Sequence, residues 1–122
     1  MGPPIPVSAR LSYYSWDPYG IHIAFYVEGN APIRWVLGRD LLAEGTVRPS
    51  GFGDVRIWSG GIEQPEFLCL EFSSPEGSAL FNAPVDVVTP WLGQTYNLVP
   101  AGFEGTFLDL EHELSRLLGE VT

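Results

Sequence analysis

Lysine is absent from this chain of 122 residues: all six basic residues are arginine, set against fifteen Asp and Glu, for a formal net charge of −9. A surface this acidic repels phosphate backbones at long range. Contact with nucleic acid or an anionic membrane would therefore need a segregated arginine patch. The candidates for such a patch are Arg34, Arg39 and Arg56, and Asp40, Glu44 and Asp54 are interspersed among them. The acidity reads as a solubility feature. Cysteine is reduced to Cys69, which excludes an intrachain disulfide. It lies in the apolar run Phe67-Leu68-Cys69-Leu70 and reads as a small buried hydrophobe. A lone thiol fits a cytoplasmic protein. Long apolar runs are also missing, since charge or Gly/Pro interrupts each one, so no membrane span is expected. The opening Met1-Gly2-Pro3-Pro4 is neither basic nor followed by a sufficient apolar stretch, so no signal peptide is expected.

What is present is bulky and apolar. Hydrophobic residues make up 45% of the chain, with seven Phe, five Tyr and four Trp, which is enough to build one core in a single domain over residues 1–122. From Ile5 to Tyr14 the residues alternate, with Ile5, Val7, Ala9, Leu11 and Tyr13 on one face, as in a half-buried strand. Asp17-Pro18-Tyr19-Gly20 carries type I turn chemistry. Strands are expected at Ile21 to Val27 and Ile33 to Leu37, with a turn at 28–32, giving an antiparallel meander. Asp40 to Gly45 reads as one helical turn capped by Asp40 and ended by Gly45, and 48–53 as a loop. Further strands are expected at Asp54 to Trp58, Phe67 to Ser73 and Ser78 to Asn82, with a turn at Ser74-Pro75-Glu76-Gly77.

The chain closes on helices. Thr89-Pro90 has start chemistry, a hydroxyl cap followed by Pro at the first helical position. Trp91, Leu92, Thr95, Tyr96 and Val99 then recur at helical spacing. Asp109 is placed to cap the last helix, with Glu111 and Glu113 near its positive end. Leu110, Leu114, Leu117 and Leu118 form an apolar stripe expected to bury against the sheets. The fold class is therefore α+β: two small antiparallel β-sheets of about six strands in total, packed with C-terminal helices.

No catalytic, cofactor or metal motif emerges. His22 has the opposite parity from Ile21 and Ile23 and faces outward, His112 lies off the leucine stripe, and neither has a neighbour at metal-ligand spacing. A hydrolase would need a pocket holding His22 with a carboxylate and a hydroxyl in mutual reach. Gly51-Phe52-Gly53 and Gly60-Gly61 lack the Lys-Ser/Thr of a phosphate loop and read as turns. Glu63 and Glu66 fall in a loop. Trp16, Trp35 and Trp91 are expected in the core. The more informative feature is Asp54-Val55-Arg56-Ile57-Trp58: Val55 and Ile57 fill one face, and Arg56 and Trp58 share the other, a pairing favoured at interface hot spots. Arg56 and Trp58 are thus the candidate partner or oligomer contacts; the other reading is that a helix or loop covers Trp58, with Arg56 snorkelling over it.

Several runs together resemble the SsgA-like family of sporulation and cell division proteins of actinomycetes. They are Trp16-Asp17-Pro18-Tyr19, the segment from Trp35 through Gly45, Gly53-Asp54-Val55-Arg56-Ile57-Trp58, the segment from Leu70 through Gly77, and Leu108 through Leu114. The resemblance spans about residues 6 to 118. It implies a non-enzymatic adaptor that acts in septum-site selection at division septa. The partner it implies is the division GTPase FtsZ or an SsgA-like paralogue. It also implies a Whirly-like fold and a homotrimer, with no catalytic residue or cofactor. Family members often open with an additional strand, whereas this chain opens Met1-Gly2-Pro3, as a short paralogue would. The fold analogy raises one alternative, single-stranded nucleic-acid binding, which needs a basic groove beside the aromatics.

Overall fold

The computed structural model describes residues 6–60 and 64–121. Ile5, Gly61 and Glu63, which figured in the sequence reading, lie outside the described residues. A three-stranded antiparallel sheet comes first, in the order β1 (Ser8–Tyr14), β2 (Asp17–Tyr26), β3 (Ile33–Gly38). The short helix α1 (Arg39–Gly45) leads to a four-stranded antiparallel sheet: β4 (Ser50–Phe52), β5 (Val55–Gly60), β6 (Gln64–Ser74) and β7 (Gly77–Pro84). Helices α2 (Val85–Leu98) and α3 (Glu104–Val121) complete the chain.

The two sheets follow from period-2 patterning. Leu11, Ile23 and Trp35 are register partners across the first sheet, and Ile57, Leu70 and Phe81 across the second. These inner faces meet through rings: Phe25 stacks on Phe81 at 4.2 Å, and Trp35 lies 4.8 Å from Phe72. Leu42 from α1 and Val88 and Leu92 from α2 complete the buried cluster. Burying an aliphatic side chain of this size contributes about 1.5–3 kcal/mol, so alternation on the strands is enforced by the core.

Several expected boundaries move, each for a physical reason. Asp17-Pro18-Tyr19-Gly20 is strand rather than turn, and the chain reverses at Ser15-Trp16, where Tyr14 pairs with Asp17. Tyr13 holds this arrangement by donating its hydroxyl to the Pro18 carbonyl at 2.8 Å. The loop at 48–53 contains β4, which pairs with β5 and makes seven strands among the described residues rather than about six. Gly38, not Asp40, is the N-cap residue of α1. Gly45 does not end that helix by turning left-handed: it sits under Ile57, whose side chain a Cβ there would strike. Thr46 closes α1 instead, its hydroxyl donating to the Ala43 carbonyl at 2.6 Å.

The helices start earlier than their cap signals indicate. Helix α2 begins at Val85, leaving Pro90 inside it. Pro90 forgoes one backbone bond near the N-terminus, while Val88 gains full burial and Val85 packs on the core. Helix α3 begins at Glu104 rather than after Asp109. Gly102 adopts φ +88°, a left-handed conformation that suits glycine, and its N–H donates to Glu104 Oε1 at 2.8 Å. Glu111 and Glu113 consequently lie beyond the first turn. The leucine stripe is not buried against the sheets: Leu110, Leu114, Leu117 and Leu118 are 55, 47, 49 and 67% exposed.

Candidate interaction surfaces

The arginines divide between the interior and the surface. Arg39, at the start of α1, is 1% exposed. It donates to the Thr95 and Val99 carbonyls at 3.0 and 2.8 Å, and to Glu104 Oε2 at 2.9 Å. Its guanidinium lies 4.0 Å from the Tyr96 ring centroid and 5.0 Å from that of Tyr13. One side chain thus ties α1 to the C-terminal carbonyls of α2, to the first residue of α3 and to β1. Hydrogen bonds from its own backbone N–H and from Arg39 hold the Glu104 carboxyl below the usual carboxylate range, against the upward push of burial. Burial, followed by the hydrogen bond to Asp40 at 3.0 Å, pushes the Tyr96 hydroxyl up to about 12.

This network corrects the grouping of Arg34, Arg39 and Arg56. Arg39 is interior, Arg34 lies on the outer face of the first sheet, and Arg56 lies on the outer face of the second. The three candidates for a basic patch thus stand in three separate places. The sequence reading also missed the role of Arg39, whose only advance signal was its place inside the segment Trp35 through Gly45.

Arg56 and Trp58 occupy the outer face of the second sheet, with Arg56 exposed and Trp58 half-buried. Trp58 is the cross-strand partner of Cys69 and Arg56 that of Glu71. Cys69 is buried, and burial pushes its thiol up, as expected of an inert packing residue. Val55 is half-buried and Ile57 fully buried on the opposite face, as the alternation predicted.

Helix α3 has two faces. Glu104 is buried and Phe107, Leu108 and Glu111 are half-buried, and Glu111 accepts a hydrogen bond from Ser15 at 2.8 Å. That face docks on the domain. Leu110, Leu114 and Leu117 lie about 90° around the helix from it, at 100° per residue. Their spacing of four and three is that of a coiled-coil seam.

On the outer face of the first sheet, His22 Nε2 and Asp17 Oδ2 are 2.7 Å apart. Ser12 is the cross-strand partner of His22, but its hydroxyl makes no hydrogen bond to the ring among the described residues. Tyr14 and Trp16 stack at 4.9 Å beside this pair. Trp16 is 56% exposed and is therefore surface rather than core, whereas Trp35 and Trp91 pack against the core as expected. Among the described residues no group of three or more His, Cys, Asp or Glu could hold a metal ion. No helix among them is long and apolar enough to cross a membrane.

The molecule is thus a two-sheet α+β domain that presents a leucine seam and two aromatic sheet faces to its surroundings. The family model described as "Streptomyces sporulation and cell division protein, SsgA" matches residues 7–104. The sporulation-specific cell division protein SsgB of Streptomyces coelicolor is 43% identical over 116 residues, covering 95% of this chain and 85% of that protein. The SsgB of Thermobifida fusca is 41% identical over 94% of this chain and 83% of its own. A solved structure of an SsgA-like sporulation-specific cell division protein from T. fusca superposes with a TM-score of 0.85 at 40% identity, covering 94% of this chain and 84% of that one. A solved S. coelicolor SsgB structure superposes with a TM-score of 0.79 at 42% identity, covering 84% and 81%. The chain belongs to the SsgA family of sporulation and cell division proteins.

Proposed function

We propose that the chain is a non-enzymatic adaptor in sporulation-specific cell division. It sets septum sites by protein–protein contact, recruiting FtsZ directly or through an SsgA-like paralogue, and it acts from the cytoplasm at the septum as a homotrimer. The observation that carries this reading is the leucine seam of α3. Leu110, Leu114 and Leu117 are each about half-exposed on a helix otherwise anchored through Glu104 and Glu111. A docked helix that keeps coiled-coil spacing on its outer side is built to receive another helix. Arg56 and Trp58 offer a second contact face.

The test is a Leu114→Glu/Leu117→Glu double variant. Both side chains are exposed, so folding should survive while partner contact fails. Purified wild-type chain should bind purified FtsZ or an SsgA-like paralogue by interferometry, and the variant should not. In a sporulating strain carrying only the variant, septa labelled through FtsZ should be misplaced or missing. Wild-type protein that binds none of these partners, in a strain whose septation is indifferent to its deletion, would defeat the reading.

A further inference from the structure

Three of the six arginines have ion-pair partners among the described residues: Arg39 with Glu104, Arg48 with Glu44 and Arg116 with Glu113. Arg10 and Arg34 have none there, and the fold brings these two together. In the register of the first sheet, Arg10 pairs with Ala24 and Ala24 with Arg34, so the two guanidinium side chains rise from either side of one alanine. Two strand spacings put their backbones about 10 Å apart. Ala24 faces outward and is still only 5% exposed. It forms the floor of a groove of about 660 Å³ along this face.

The groove has aromatic ends. At one end the stacked Tyr14 and Trp16 rings lie beside His22, with Tyr14 5.0 Å and Trp16 5.7 Å from the imidazole. At the other end Tyr26, two residues beyond Ala24 on β2, is 42% exposed. From His22 to Tyr26 the floor runs about 13 Å, the length of four or five extended residues. Asp17, beside the aromatic end of the groove, is already taken by His22.

We propose that the outer face of the first sheet is a binding site for a short, extended, acidic peptide segment of another protein. Its carboxylates are held by Arg10 and Arg34, and an aromatic or aliphatic side chain rests on Tyr14 and Trp16. Unpaired guanidinium groups flanking a small residue match carboxylates, which they bind through paired N–H donors. Exposed tyrosine and tryptophan supply rigid apolar area at low entropic cost. A single-stranded nucleic acid fits less well. It brings a phosphate with every nucleotide, whereas the groove's two arginines match a peptide with two carboxylates, which leaves no surplus for the chain's net charge of −9 to repel. Ser15, between Tyr14 and Trp16, bonds Glu111, so the aromatic end borders α3; the two arginines stand on β1 and β3, and the inference does not depend on the septation reading.

The test is fluorescence anisotropy with a fluorescein-labelled, C-terminally amidated peptide Ser-Asp-Phe-Asp-Ser, its amide counterpart Ser-Asn-Phe-Asn-Ser, and labelled oligothymidine. The full chain should bind the acidic peptide, more weakly as salt rises, and prefer it to both other probes. Arg10→Gln/Arg34→Gln should weaken it by about tenfold, the scale of losing charged hydrogen bonds. Arg48→Gln, at an exposed arginine already paired with Glu44, should leave it unchanged. Because Arg10 and Arg34 are exposed, the variant should keep the wild-type circular dichroism spectrum. Three results would each overturn the proposal: no binding of the acidic peptide, binding indifferent to Arg10 and Arg34, or tighter binding of oligothymidine.

Discussion

Arg39 and Glu104 stand 65 residues apart in the chain and 2.9 Å apart in the interior, side chains 1 and 8% exposed. Removing one partner strands a buried charge, which typically costs about 3–5 kcal/mol, whereas replacing both with apolar side chains can be close to neutral. Glu104→Ala should therefore lower the urea midpoint far more than Arg39→Met/Glu104→Leu does. An additive pair of losses would show that the two residues do not act as a unit.

The same pair predicts the acid limb of stability. Glu104 is held below its ordinary value of 4.5 by its own backbone N–H and by Arg39. A depressed carboxyl contributes stability that is present above the unfolded value and lost as pH falls through the folded one. Denaturant titrations at decreasing pH should show wild type losing stability below that ordinary value. Glu104→Gln should show a shallower acid dependence. Parallel profiles would locate the acid sensitivity in other carboxylates.

At alkaline pH the tyrosines should separate. Tyr96 is pushed up to about 12 and Tyr13 is also raised, in both cases chiefly by burial. Raised groups contribute stability that is present below the unfolded value and lost as pH rises through the folded one. Tyrosinate absorbance should thus show two late ionisations, and Tyr96→Phe should remove the later. A folded-state titration that Tyr96→Phe leaves unchanged would contradict the packing around Arg39.

Trp58→Ala separates a contact face from ordinary packing. If Trp58 meets a partner, truncation should cost about 2 kcal/mol of association and leave the fold intact. If it serves the fold alone, the cost is about 3–5 kcal/mol of folding stability. The contact reading is the expected outcome, because Ile57 fills the core from the other face. The cross-strand neighbour gives an independent readout, since Cys69 should react faster with a thiol reagent in the variant.

Light scattering of the wild-type chain should give about three times its 13.4 kDa mass. If the α3 seam joins the copies, Leu114→Glu should shift the population toward monomer. A wild-type monomer at every accessible concentration would remove the homotrimer from the proposed function.

The strands were legible because their signal is local. A period of two through Ile21, Ile23 and Phe25, or through Leu68, Leu70 and Phe72, names both the element and its buried face. His22 outward and Arg56 opposite Ile57 follow from that parity, whereas Cys69 has the outward parity and is buried all the same, across from Trp58. The helices were legible only in existence and period. Cap chemistry at Thr89-Pro90 and Asp109 lost to burial of Val88 and to the bonds of Glu104, because tertiary contacts outweigh one capping hydrogen bond. The leucine spacing on α3 likewise fixed which side chains share a stripe. It could not say which side meets the sheets, since rotation about the helix axis is set by the Arg39–Glu104 and Ser15–Glu111 bonds, formed by residues distant in sequence. The pairing of Arg10 with Arg34 has the same origin: strand register joins two side chains 24 positions apart across Ala24. The sequence by itself determined alternation, composition and family membership. The tertiary structure alone decided which charges are buried and which faces are left to solvent, because those depend on contacts between elements and not on spacing within one.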